Sequence, residues 1–232
     1  MTAVRPVLLL AVDTSGPAVT AALHDGHRVV ARAHHDEPRR HAERLAPAVA
    51  EVLAAAGRVP ADLTAVIAGV GPGPFTGLRV GVVTARVLGA ALGIPVHGIC
   101  SLDALALAAP AGLPAFLVAT DARRREVHWA RYRRDAAGRA VRVDGPHVAA
   151  PADVPVAGLP VVGRGAALHP QWLGEPAGTV PDVDAADLAT LAATALAPGA
   201  DATDVAVLLP PDPLYLRRPD AVEPGARKRV LR

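Results

Sequence analysis

The chain has 232 residues, of which 51% are hydrophobic and 20% are charged. This composition supplies enough apolar surface for a folded core and excludes a collagen, a coiled coil and a chain that is disordered throughout. The formal net charge is +2, and Cys100 is the single cysteine, which excludes an intrachain disulfide and a metal cage of several cysteines.

The apolar segments are too short to direct export or to cross a membrane. Residues 7–12 are apolar, but Asp13 ends the run before it reaches the length of a signal-peptide core. Residues 104–120 are uncharged, yet prolines and a glycine interrupt them and they fall short of the roughly 20 residues that span a bilayer. We therefore expect a cytoplasmic protein without a membrane segment.

The first part of the chain shows strand patterns, then alternating helix and strand patterns. The predicted elements are strands at residues 7–12, 19–23 and 28–34, a helix at 41–56, a strand at 65–70, a helix at 77–92 and a strand at 96–99. Glycines at positions 57 and 93 are expected to end the two helices. Three consecutive strands followed by helical crossovers are typical of a ribonuclease H-like unit.

The strand pattern restarts in the second part and then weakens. Further strands are predicted at residues 115–120, 126–132, 140–143 and 160–162, with a helix at 187–196. Two such units side by side predict an α/β, two-lobed actin-like (ribonuclease H-like) ATPase fold with a reduced second lobe. The expected divisions are a lobe at 1–104, a reduced lobe at 105–216 and a basic tail at 217–232.

The first predicted strand ends in residues that suit either a nucleotide site or an ordinary turn. In a nucleotide-binding lobe, a carboxylate such as Asp13 positions Mg²⁺, while hydroxyls such as those of Thr14 and Ser15 face phosphate. Aspartate and serine also favour turns for purely structural reasons. Both a weak, vestigial nucleotide site and a structural turn remain open.

Other motifs of catalysis or metal binding are missing from the sequence. The glycine-rich loop at 71–77 has neither the glycine spacing of a dinucleotide fingerprint nor the lysine of a Walker loop. Arginines occupy 123–125, where an active nucleotide fold would place a second phosphate loop. The nine histidines never occur with the spacing of a helical metal pair. We assign no catalytic residue and no metal ligand.

The second predicted helix carries a row of small residues. Every fourth position is small, at Gly77, Gly81, Ala85, Gly89 and Gly93. Glycine within a helix costs roughly 1 kcal/mol relative to alanine, so the row needs a compensating close contact. The contact is either with the chain's own helix or sheet, or with a second subunit flanked by Arg79 and Arg86.

The C-terminal segment is basic. Residues 217–232 contain six lysine or arginine side chains against two acidic ones. Such a segment either contacts RNA phosphates or is simply solvated.

Six segments spread over the chain resemble the TsaB (YeaZ) family of bacterial proteins that make threonylcarbamoyladenosine in tRNA. They are LAVDTS at 10–15, HAERLAP at 41–47, GPGPFTGLRVG at 71–81, SLDAL at 101–105, DARR at 121–124 and PLYLR at 213–217. Arg125 and His128 depart from the pattern, which implies a glycine and a tyrosine there.

The resemblance implies a non-catalytic subunit. It would support a TsaD-like catalytic paralogue, which transfers the threonylcarbamoyl group to the adenosine beside the anticodon in tRNAs that read codons beginning with A. A TsaE-like small ATPase would join the assembly, with ATP and Mg²⁺ held by the partners and no cofactor bound tightly here. Homodimers are possible in isolation, and contact with tRNA would be indirect or through the basic tail.

The resemblance also favours the second-subunit interpretation of the glycine row. The expected interface comprises Gly77, Leu78, Arg79, Gly81, Val82, Ala85, Arg86 and Gly89, with His41, Leu45 and Val49 from the first helix. On this interpretation, leucine at Gly81 or Gly89 would leave the monomer folded and weaken pairing. The alternative function is a small actin-like ATPase or kinase that uses Asp13 to position a magnesium nucleotide.

Overall fold

The structure is a computed structural model that describes residues 6–37, 40–179 and 182–217. Its strands are β1 (Leu9–Asp13), β2 (Val19–His24), β3 (Val29–His35), β4 (Ala65–Gly69), β5 (Val96–Ile99), β6 (Ala115–Asp121), β7 (Val127–Arg134), β8 (Ala140–Ala149), β9 (Val161–Val162) and β10 (Leu208–Leu209). Its helices are α1 (His41–Ala55), α2 (Phe75–Leu92), α3 (Ser101–Leu107), α4 (Arg164–Leu168), α5 (Pro170–Leu173), α6 (Ala185–Ala195) and α7 (Ala202–Val205). Apart from Arg217, the expected basic tail lies outside the described residues.

The strands form two sheets that repeat one pairing pattern. In the larger sheet, with the order β10-β5-β4-β1-β2-β3, β1 pairs antiparallel with β2 and parallel with β4. In the smaller sheet, with the order β8-β7-β6-β9, β6 pairs antiparallel with β7 and parallel with β9. The smaller sheet therefore repeats the centre of the larger one with fewer strands, and the predicted two-lobed fold with a reduced second lobe is confirmed.

Elements from both sides of the expected boundary at residue 104 contribute to the first lobe. Helix α3 continues through that position, and its apolar side chains pack between the sheets. Strand β10 pairs with β5 and so completes the larger sheet from the far end of the chain. Helix α6 also packs on β1 and β2. The span 105–216 thus contributes a strand and a helix to the first lobe.

Apolar side chains cover both faces of the larger sheet. One face packs against α1 and α2, with Leu10, Val66 and Val82 in the buried cluster. The other face packs against α3, α6 and the smaller sheet, where Phe116 and Tyr132 are stacked with ring centroids 5.6 Å apart. Because β1 and β4 are buried on both faces, their sequences are continuously apolar rather than alternating.

The glycine row of α2 packs against the chain's own β1–β2 turn. The Thr14 hydroxyl donates to the Gly77 carbonyl at 2.7 Å and accepts from the Gly81 amide at 3.0 Å. A Cβ at Gly81 would lie 2.5 Å from Thr14 Oγ1, and one at Gly89 would overlap the Val96 side chain. The row is therefore packed within the fold from Gly77 to Gly89, and the expectation that these positions lie bare for a second subunit is wrong.

This contact reverses the expected effect of a leucine in the row. We predict that Gly81→Leu destabilises the monomer by at least about 2 kcal/mol, because the new side chain must displace Thr14 from a buried contact. Urea unfolding followed by circular dichroism measures the loss. Val83→Leu, at a position that is 54% exposed on the same helix, is the control and should change stability little. Equal stability of the two variants would contradict the packing described here.

Candidate functional site

The Asp13 carboxylate sits in a closed network of hydrogen bonds where β1 ends. Its Oδ1 accepts from the Ser15 amide and the Ser15 hydroxyl, both at 2.8 Å. Its Oδ2 accepts from the Ser101 hydroxyl at 2.7 Å, which itself accepts from the Gly71 amide at 3.1 Å. The network joins the first turn, the start of α3 and the loop before α2.

The carboxylate has no room around it. Asp13 is 1% exposed, and a Cβ at Gly69 would overlap its Oδ2. Burial raises the pKa of Asp13 above its ordinary value, although the hydrogen bonds from Ser101 and Ser15 act in the opposite direction. The side chain is therefore held as part of the core.

A magnesium nucleotide does not fit at Asp13 in this arrangement. Metal binding by a nucleotide-site carboxylate requires an oxygen that faces the ligand, whereas both Asp13 oxygens bond to serines of the chain. In the described parts of the chain, no three histidine, cysteine, aspartate or glutamate side chains are close enough together to hold a metal ion. Of the two interpretations of Asp13, Thr14 and Ser15, the geometry favours the structural turn.

A cleft of about 720 Å³ lies between the lobes, where actin-like folds hold nucleotide. Its charged groups are already paired: Arg164 Nε donates to Asp182 at 2.8 Å, and Asp121 accepts from the Arg123 amide at 2.7 Å. His41 also lines the cleft, with Nε2 3.0 Å from the Gly16 carbonyl. Each acidic side chain among the described residues that line the cleft therefore already has a partner within the chain.

The outer row of α2 is exposed and largely apolar. Phe75, Val83 and Val87 are 44%, 54% and 62% exposed, and the Arg79 guanidinium lies 4.3 Å from the centre of the Phe75 ring. This row is offset by two residues from the glycine row, which places it about 200° around the helix. Packing of the glycine row therefore leaves the apolar row facing outward.

The residues expected at a partner interface divide between the core and the surface. Gly77, Leu78, Gly81, Val82, Ala85, Gly89 and Leu45 are buried in the chain, His41 and Val49 are half-buried, and Arg79 and Arg86 are exposed. Arg86 donates to Asp212 at 2.9 Å, so it also ties α2 to the C-terminal part of the chain. The buried members act within the fold, and only the others are available to a partner.

Comparisons with known proteins place these features in a family. A family model described as TsaD, tRNA N6-adenosine threonylcarbamoyltransferase, matches residues 34–162. An uncharacterized protein of Mycobacterium tuberculosis is 44% identical over 95% of this chain and 97% of its own length. The Escherichia coli tRNA threonylcarbamoyladenosine biosynthesis protein TsaB is 38% identical over 56% of this chain and 57% of its own length.

A longer relative and a solved structure extend the comparison. An uncharacterized Mycobacterium leprae protein is 44% identical over 92% of this chain, which spans 56% of that protein's length. The solved YeaZ of Pseudomonas aeruginosa superposes with a TM-score of 0.75 at 30% identity, covering 90% of this chain and 100% of that one. The chain belongs to the TsaB (YeaZ) family. The resemblance inferred from the six sequence segments is thereby confirmed.

Sequence reasoning missed the outer row of α2, although a signal was present. Both rows recur every fourth residue, and only glycine permits backbone to approach as closely as it does at Thr14. A row of glycines therefore belongs against the fold, and the valines opposite belong outside. The partnership of Ser101 with Asp13 had no such signal, because 88 positions separate the two residues.

Helix α2 has one further property. Among the described residues it is the one helix long and apolar enough to cross a membrane by length and composition. A helix that packs one face on a core and carries valines on the other meets the same criterion. Within residues 6–37, 40–179 and 182–217, this helix rather than residues 104–120 therefore meets the criterion.

The Asp13 network predicts unequal roles for its two serines. Ser101→Ala removes a hydrogen bond to Asp13 and leaves the buried Gly71 amide unpaired. It should therefore lower the free energy of unfolding by about 1–3 kcal/mol. Ser15→Ala is the control and should cost less, because the Ser15 amide still bonds to the same oxygen.

The loss of stability in Ser101→Ala should also depend on pH. Without that bond the pKa of Asp13 in the folded protein, already raised, rises further. A raised carboxyl pKa makes ionisation unfavourable to folding, so stability falls as pH rises above the ordinary value of 3.8. Urea unfolding over a series of pH values should therefore show a larger difference from the parent above the folded-state pKa of Asp13 than at pH 4. A constant difference would contradict the assignment.

Proposed function

We propose that this chain is a non-catalytic subunit in the biosynthesis of threonylcarbamoyladenosine in tRNA, and that it supports a TsaD-like catalytic paralogue. The relatives named TsaB and the match to the TsaD family model support this role. The modified nucleoside is the adenosine beside the anticodon in tRNAs that read codons beginning with A. The chain works in the cytoplasm, where these tRNAs are modified.

The non-catalytic role rests on the burial and hydrogen bonding of Asp13. Asp13, which ends β1 in the position of a nucleotide-site acid, is 1% exposed and bonds to Ser15 and Ser101. A general base or metal ligand must reach its substrate or ion, and this side chain reaches only its own chain. ATP and Mg²⁺ belong on the TsaD-like partner and on a TsaE-like small ATPase, with none bound tightly here.

The partner surface in this proposal is the outer row of α2, with the exposed Arg79 at its edge. Burying three exposed apolar side chains against another helix removes apolar area from water, which favours association. Half-buried Val49 on the neighbouring α1 widens the surface. In the absence of the paralogue, two copies of this chain pair through the same row. Contact with tRNA is made through the assembly or through the basic tail.

The pairing surface is tested by a charge placed at Val87, its most exposed apolar position. We predict that Val87→Asp weakens binding to the co-purified TsaD-like paralogue by at least about tenfold, because an unpaired carboxylate would be desolvated at the contact. Titration calorimetry measures the affinity, and size exclusion reports on the homodimer. Val143→Asp, at a position that is 50% exposed on β8, is the matched control. Parental affinity in Val87→Asp would overturn the proposed surface.

The alternative, a small ATPase or kinase that depends on Asp13, is tested separately. We predict that Asp13→Asn, which keeps the size of the side chain, supports tRNA modification in cells that lack the native gene. Such a kinase would lose activity in this variant because the neutral amide lacks the negative charge with which a carboxylate holds Mg²⁺. Mass spectrometry of nucleosides from total tRNA measures the outcome. Loss of the modified nucleoside, with a normal level of folded protein, would favour the alternative.

A further inference from the structure

Three of the segments that carry the family resemblance meet at a second cavity, which shares Phe75 with the proposed pairing surface and otherwise lies outside it. The cavity has a volume of about 390 Å³. Phe75, the first residue of α2, lines the cavity together with Arg123 and Arg124 from the turn after β6. Tyr215 and Arg217 line it from the C-terminal end of the described chain. None of its described lining residues is acidic.

His128 on β7 gives this cavity a buried polar group without a partner. The imidazole lines the cavity, is 6% exposed, and its Nδ1 has no hydrogen-bond partner among the described residues. Burial lowers the pKa of His128 to about 4, so the ring is neutral at pH 7. A buried nitrogen without a partner is unfavourable, and a ligand toward which the His128 ring turned this nitrogen would remove that penalty.

Aromatic rings form one edge of the cavity. The rings of Phe75 and Tyr215 have centroids 5.0 Å apart, and 44% and 42% of these residues are exposed. Arg79 covers the Phe75 ring, so cation and aromatic surface are adjacent. Exposed aromatic rings beside arginines are the groups on which unpaired bases stack.

Arg123 and Arg124 also line the cavity, from the turn that follows β6. Arg123, Arg124 and Arg125 have φ values of +61°, +55° and +61°, the left-handed region in which glycine is the usual residue. The resulting tight turn is closed by the Ala122 amide, which donates to the Glu126 carbonyl at 3.0 Å. All three arginines are exposed. The acidic neighbours Asp121 and Glu126 form ion pairs with Arg123 and Arg217.

We propose that this cavity binds one nucleotide of an unpaired RNA strand, with the base on Tyr215, a base or ribose group bonded to His128, and phosphate near Arg123. This inference rests on the proposed function, which supplies tRNA as the substrate. The volume lies within the range of small-ligand sites. A free mononucleotide shares this chemistry, but the exposed Arg125 lies beyond the cavity lining and suits a neighbouring phosphate of a strand.

The experiment measures binding of a fluorescein-labelled, unstructured RNA decamer to the full chain by anisotropy, at two salt concentrations. We predict that Tyr215→Ala weakens binding about tenfold through the loss of stacking, while Tyr215→Phe keeps most of the affinity. Arg123→Glu should also weaken binding. Its affinity should fall less steeply between the two salt concentrations than that of the parent, because fewer phosphate contacts are made. Trp172→Ala, which removes a ring 56% exposed outside the cavity, is the aromatic control and should bind as the parent does.

Two further measurements distinguish binding at the cavity from RNA binding by the basic tail and from binding of free nucleotide. Replacing Arg227 and Arg229 by alanine tests the basic tail, and unlabelled AMP tests free nucleotide. Loss of binding in the tail variant but not in Tyr215→Ala or Arg123→Glu would overturn the inference, as would a parent chain that binds no decamer. Binding of AMP as tight as that of the decamer, lost in Tyr215→Ala, would assign the cavity to free nucleotides and overturn the RNA assignment. Failure here with intact pairing to the paralogue leaves the proposed function standing.

Discussion

The fold of this chain depends on how closely α2 approaches the turn that follows β1. Thr14 bonds to the backbone at Gly77 and Gly81, and side chains at those glycines would separate the helix from the turn. The roughly 1 kcal/mol that each interior glycine costs is offset by these buried hydrogen bonds and by close packing. Because one face of the helix is fixed in this way, the opposite row of Phe75, Val83 and Val87 must face outward.

The same contact changes what the first turn can do chemically. With α2 and the Gly71 loop drawn in, Asp13 is enclosed by Ser15 and Ser101, and its carboxylate holds three parts of the chain together. A carboxylate that stabilises a junction cannot also face a ligand. The close approach that leaves the outer row of α2 exposed on one side of the helix also encloses Asp13 on the other. Both features suit the proposed supporting subunit.

The sequence predicted most elements because their signals are local. The helix expected at 41–56 is α1, and Gly93 ends α2 in the left-handed conformation expected of a helix-ending glycine. The strand expected at 140–143 continues to residue 149, because pairing with β7 extends it beyond its own apolar pattern. Pairing of β10 with β5, and of Ser101 with Asp13, joins residues about 90 or more positions apart, and no local pattern specifies such contacts.

The turns that follow β1 and β6 occupy equivalent positions in the repeated fold, but their surroundings differ. Strands β1 and β6 both end in aspartate, and in each case the carboxylate accepts from the amide two residues later, at 2.8 Å for Asp13 and 2.7 Å for Asp121. The first turn is buried beneath the glycines of α2, whereas the second continues into the exposed arginines of 123–125. Exposed left-handed arginines add little to a core, and their conformation is unfavourable without glycine. Their charges lie beside a cavity that holds an unpaired imidazole nitrogen, so binding of an anionic strand gives this turn a role that stability alone does not.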